Sequence, residues 1–132
     1  MANLLYPAGK KAILDADVDF LVDTIKIALV KTAYVYSSAH DFLDDLGANR
    51  VGTDATLGGK STTGGVFDAT DPTWTALSST EVSYAVIYKD TGVDATSQLI
   101  AYLDTITGFP FTPSGADYTV VFDSGANKIF AL

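Results

Sequence analysis

Cysteine is absent from this chain. Disulfides and thiolate metal centres are thereby excluded, and stability must come from a core or from partner subunits. Cations are scarce: 8 Lys and Arg stand against 16 Asp and Glu, for a net charge of −8. Affinity for nucleic acid comes largely from Lys and Arg displacing counterions, so DNA and RNA are disfavoured as partners. Anionic membrane surfaces are disfavoured for the same reason. The charge favours solubility and suits a cationic patch on a partner. Long apolar runs are also missing. A run such as Ile27-Ala28-Leu29-Val30 is far too short to span a bilayer. The start, Met1 to Pro7, has neither the basic region nor the apolar stretch of a signal peptide, so the chain is expected to be made in the cytoplasm and to stay soluble.

Apolar and aromatic residues are plentiful. Hydrophobic residues make up 48% of the 132, including seven Tyr and seven Phe. That supports a real core and one domain, residues 1–132, with 1–7 as an N-terminal arm. Ile13, Leu14, Val18 and Leu21 recur at helical spacing, predicting a short helix or two turns within 7–22, broken at Asp15-Ala16-Asp17. Residues 24–31 alternate as a strand with one buried face, Ile25, Ile27 and Leu29. Tyr34-Val35-Tyr36 prolongs it after a bend. Residues 38–46 read as a second short helix, capped by Ser38, with Phe42 and Leu46 facing the core and Gly47 as its stop.

Beyond Gly47 the text becomes β, with strands expected in 53–61, 65–69 and 73–77, separated by glycine pairs and Asp71-Pro72. Residues 81–89 form the clearest strand. Val82, Tyr84, Val86 and Tyr88 share one face, and Ser83, Ala85, Ile87 and Lys89 the other; both are partly apolar, which predicts a central position. Residues 97–104 repeat the pattern after a polar hairpin loop. Phe109-Pro110-Phe111 is an edge segment. Residues 118–122 and 128–130 are expected to pair through 123–127. Trp74, Tyr84, Val86, Ile100 and Val120 are expected to be largely buried. Seven or eight short strands predict a mainly-β fold, a single-domain β-sandwich or jelly-roll-like barrel with one or two short helices.

The candidate chemistry is thin. His40 is the only histidine and has no nucleophile or orienting carboxylate at a suggestive spacing. Asp15, Asp17, Asp19 and Asp23 resemble the opening of a calcium loop. Counted from Asp15, however, positions six and twelve hold Phe20 and Lys26 instead of Gly and Glu. Gly58-Gly59-Lys60-Ser61 has the tail of a phosphate loop, but the position of its first glycine holds Asp54. No catalytic residue, metal ligand or cofactor site is assigned. Leu4, Leu5 and Tyr6 are the candidate partner-binding residues: they are apolar, end at Pro7 and lack an evident local partner, so the arm reads as a strap.

Three stretches carry a resemblance. Leu14-Asp15-Ala16-Asp17-Val18-Asp19 precedes Asp23-Thr24-Ile25-Lys26-Ile27-Ala28-Leu29-Val30. Ser38-Ala39-His40-Asp41-Phe42-Leu43-Asp44-Asp45 follows. Then come Gly65-Val66-Phe67-Asp68-Ala69, Asp71-Pro72-Thr73-Trp74, Ala85-Val86-Ile87-Tyr88-Lys89-Asp90-Thr91-Gly92 and Gln98-Leu99-Ile100-Ala101-Tyr102. Together they are similar to small structural proteins of tailed bacteriophages. The resemblance implies a virion component, with no catalytic residue. Size and acidity suit a capsid decoration (cement) protein on the outer shell. Its expected partner is the major capsid protein or another virion protein, and it is expected to be a homo-oligomer. The rival expectations are a tail, baseplate or head-fibre component, or a receptor- or carbohydrate-binding module on the particle.

Overall fold

The structure, a computed structural model, describes residues 3–132. Met1 and Ala2 of the expected arm lie outside the described residues. In chain order the elements are β1 (Leu4–Leu5), α1 (Pro7–Leu14), β2 (Ile25–Lys31), β3 (Arg50–Thr56), β4 (Val66–Phe67), β5 (Thr73–Trp74), β6 (Val82–Lys89), β7 (Gln98–Leu103), β8 (Tyr118–Thr119) and β9 (Phe130–Ala131), with short 3-10 turns between some of them. Five strands form one antiparallel sheet in the order β1-β7-β6-β2-β3. Two small ribbons, β4 with β9 and β5 with β8, form a second layer.

The layering follows from side-chain alternation. Ile27 and Leu29 of β2, Ile87 of β6 and Ile100 of β7 share a core with Phe67, Trp74, Val120 and Ile129 from the ribbon layer. The opposite face carries Val30, Val86, Leu99 and Tyr102, covered by Tyr6, Tyr34, Leu43 and Leu46. The fold is mainly β, as the sequence predicts. β6 is the central strand of the sheet, again as its two apolar faces predict.

Several local expectations are corrected. β2 is buried on both faces, because Ala28 and Val30 meet the second core. Val82 sits in the first core with Ala85 and Ile87, not beside Val86. A register shift against β2, between the pairs Val30↔Tyr84 and Lys31↔Val82, turns it over. Tyr84 is only half buried. Leu14 and Leu21 point to solvent. Residues 34–36 form no strand, and 118–122 does not pair with 128–130. Tyr118 pairs instead with Trp74, and Phe130 with Phe67.

The helix expected over 38–46 is replaced by a 3-10 segment at Leu43–Asn49. Tertiary pairing overrides local preference there: Leu43 N–H donates to Ser97 O at 2.9 Å, and Leu99 N–H donates to Asp41 O at 2.9 Å. The cap is Asp45, whose carboxylate accepts from the amides of Asp41 at 2.8 Å and Phe42 at 3.3 Å. The Asp41 amide, first among several donors, holds that carboxyl below the usual carboxylate range.

α1 rests on β7 through Gly9. A Cβ there would lie 2.8 Å from Ile100 Cα and from the carbonyl oxygens of Ile100 and Leu99. Alanine is the better helix former by about 1 kcal/mol. Gly9→Ala is nevertheless expected to destabilise the protein, by about 1–3 kcal/mol, since the obstruction is backbone. Urea denaturation checks this; an unchanged or raised midpoint would show that α1 lifts off β7 at no cost.

Candidate functional site

The stretch Leu4-Leu5-Tyr6 is the place to begin. Leu4 lies opposite Tyr102 and Leu5 opposite Ala101, so the two form the terminal strand of the sheet. Tyr6 follows, its N–H donating to Ile100 O at 2.9 Å. Its side chain is fully buried, and its hydroxyl lies 2.8 Å from that of Tyr34. Burial first, then that hydrogen bond, hold the Tyr6 phenol protonated far above its ordinary range. The expectation of an arm without a local partner is therefore corrected. Apolar burial and main-chain pairing tie residues 4–6 into the domain, and Tyr6 is inaccessible to a partner.

Leu4 and Leu5 remain at a surface feature. A groove of about 630 Å³ runs beside β1, walled on its other side by the C-terminal segment. Leu5, Ile106, Val121 and Phe130 supply apolar lining, and Val121 is 54% exposed. Lys10 and Lys128 also line it, against the single carboxylate of Asp123. Two of the chain's 8 basic residues thus meet at one groove of a molecule whose net charge is −8.

The residues considered for chemistry lie elsewhere. His40 Nδ1 is 2.7 Å from the Tyr34 hydroxyl, which continues the link to Tyr6. Tyr36, Tyr84 and Tyr102 adjoin this pair of tyrosines, with Tyr102 ring centroids 5.0 Å from Tyr36 and 5.2 Å from Tyr84. The arrangement braces residues 34–40 against the sheet. Among the described residues no group of three His, Cys, Asp or Glu is placed to hold a metal ion.

The acidic turn carries its own cation. Lys89 Nζ donates to Asp17 O at 2.6 Å and lies 3.1 Å from the Asp23 carboxylate. The Asp19 carboxylate accepts from the amides of Leu21 at 3.0 Å and Val22 at 3.2 Å. The Asp19 amide, more than Lys89, keeps the Asp23 carboxyl below the usual range. Lys60, from the glycine-rich stretch, donates to Asp23 O at 2.6 Å, and Ser61 pairs with Asp68. That stretch is held by a single β-bridge and fastened to the acidic turn.

One buried charge stands out. The Asp54 side chain is only 9% exposed; one oxygen accepts from the Tyr88 hydroxyl at 2.6 Å, and the other has no partner. Arg50 lies 3.4 Å from it and 3.5 Å from Asp94. Burial pushes the Asp54 carboxyl above the usual range, against the pull of Tyr88 and Arg50. A carboxyl with a raised folded-state pKa contributes most below its unfolded value, and that contribution is lost as pH rises through the folded value. Wild type is therefore expected to lose stability relative to Asp54→Asn as pH rises from about 3 to 7. Parallel thermal melts across that range check the sign; a gap that moves the other way would make the Arg50 pair dominant.

Sequence reasoning reaches Leu4 and Leu5 but not the groove, because its two walls lie far apart in the chain. No family model, curated protein or solved structure matches this chain.

Proposed function

We propose that this protein is a structural component of a tailed-phage virion, a capsid decoration protein that docks on the outer shell through the groove beside β1. It acts by binding, not by catalysis. The carrying observation is the groove: an open sheet edge, apolar lining and two lysines on an otherwise acidic molecule. The resemblance of the three sequence stretches to phage structural proteins supports the setting. The net charge of −8 favours a position outside the packaged genome. The partner is the major capsid protein or another virion protein, with self-association around the shell's symmetry axes.

A second reading, a glycan- or receptor-binding module, draws on one patch. The Phe111 and Tyr118 rings stack at 3.7 Å and 9°, with Phe109 5.1 Å from Phe111, and all three are half buried. Aromatic faces of this kind suit sugar rings as well as protein partners.

Co-sedimentation separates the readings. Full-length protein is expected to pellet with purified capsids that lack it, and Lys10→Glu/Lys128→Glu to stay in the supernatant with an unchanged melting temperature. Binding to tails or host glycans, with none to capsids, would replace the decoration reading.

A further inference from the structure

The groove also indicates what it takes. Successive residues of an antiparallel strand turn their N–H and C=O groups to opposite sides. Tyr6 N–H points at β7, so the neighbouring Leu5 presents its backbone groups to the groove. Among the described residues no strand lies on that side of β1. An open edge beside apolar walls is a template for a strand from another chain.

We infer that the groove binds an extended acidic segment of a different protein by strand addition to β1, with carboxylates of the segment meeting Lys10 and Lys128. The inference rests on the groove being the docking surface and names its occupant. Main-chain pairing to Leu5 supplies affinity, and the wall formed by Val121 and Phe130 receives alternate side chains. Charge sets the choice of partner. Lys10 is exposed, and among the described residues Lys128 Nζ donates only to the Ser124 carbonyl, at 3.4 Å, so both ammonium groups are open to a carboxylate. A second copy of this chain is the weaker fit. Each copy carries −8, which opposes the approach of another copy to the groove.

The test is an NMR titration of the full chain with two short synthetic peptides, one alternating valine with aspartate, the other valine with lysine. The aspartate peptide is expected to shift the Leu5, Val121 and Phe130 amides saturably and to slow exchange of the Leu5 amide. The lysine peptide is expected to bind roughly tenfold more weakly, and Lys10→Glu/Lys128→Glu to reverse the preference. Equal binding of both peptides, shifts confined to another surface, or no saturable shift at Leu5 would overturn the inference. The capsid assay fails independently. If the double variant detaches from capsids but neither peptide binds, the groove stands as the docking surface and strand addition falls. If the aspartate peptide binds but capsids do not, strand addition stands and the shell reading falls.

Discussion

Tyr6→Ala is expected to cost about 3–5 kcal/mol, the range for emptying a buried aromatic site. The ring has no exposed surface and packs 5.3 Å from Tyr36 and 6.3 Å from Tyr102. Its loss would also strip the Tyr34 hydroxyl of one buried partner, leaving His40 as the other. Tyr6→Phe keeps the packing and removes only the hydroxyl link, so about 0.5–1.5 kcal/mol is expected. Chemical denaturation of the two variants separates ring from hydroxyl. A Tyr6→Ala midpoint equal to wild type would return residues 4–6 to the status of a detachable arm. The same geometry predicts that removing everything before Pro7 lowers the melting temperature sharply, because β1 and the Tyr6 ring leave together.

Ile100→Ala is expected to cost about 2–4 kcal/mol, through lost transfer energy and the cavity left behind. Ile100 is fully buried in β7, belongs to the core shared by sheet and ribbons, and faces Gly9 of α1 across a contact that leaves no room for a methyl group. Val86→Ala, on the opposite face of the central strand, is expected toward the lower end of the same range. The two substitutions sample different cores, so comparable losses would show that both faces of the sheet are needed. Wild-type stability in both would contradict the register of β6 and β7.

The central sheet is legible because β6 and β7 are apolar on both faces and are joined by a polar loop, although a register shift interrupts the alternation of each strand. Trp74, Val86, Ile100 and Val120 are buried as expected; Tyr84, at a shifted register, is only half so. Less legible were elements made by distant partners. The pairs Trp74↔Tyr118 and Phe67↔Phe130 join two-residue strands too short to carry a period. The local turn 123–127 therefore reads as a hairpin in the sequence, whereas its flanking strands pair elsewhere. The segment 38–46 carries helical signals, yet residues 41–43 pair with 97–99 and lose them. Leu4-Leu5 looked unpartnered because its neighbours lie near the other end: Asn3, beside it, accepts from the Thr105 amide at 2.8 Å, 102 residues on. The groove was hidden for the same reason. What composition did make visible was the scarcity of cations, which gives Lys10 and Lys128 their weight once the fold brings them to one edge.

The most direct test of the docking claim is a cryo-electron microscopy reconstruction of the tailed-phage particle on which the proposal places this protein. The account predicts density for the chain on the outer shell, its β1 edge buried, and an extended segment of a neighbouring virion protein running antiparallel to Leu4–Leu5 between Lys10 and Lys128. Density for the chain on the tail, or on the shell with the β1 edge facing solvent, would contradict it.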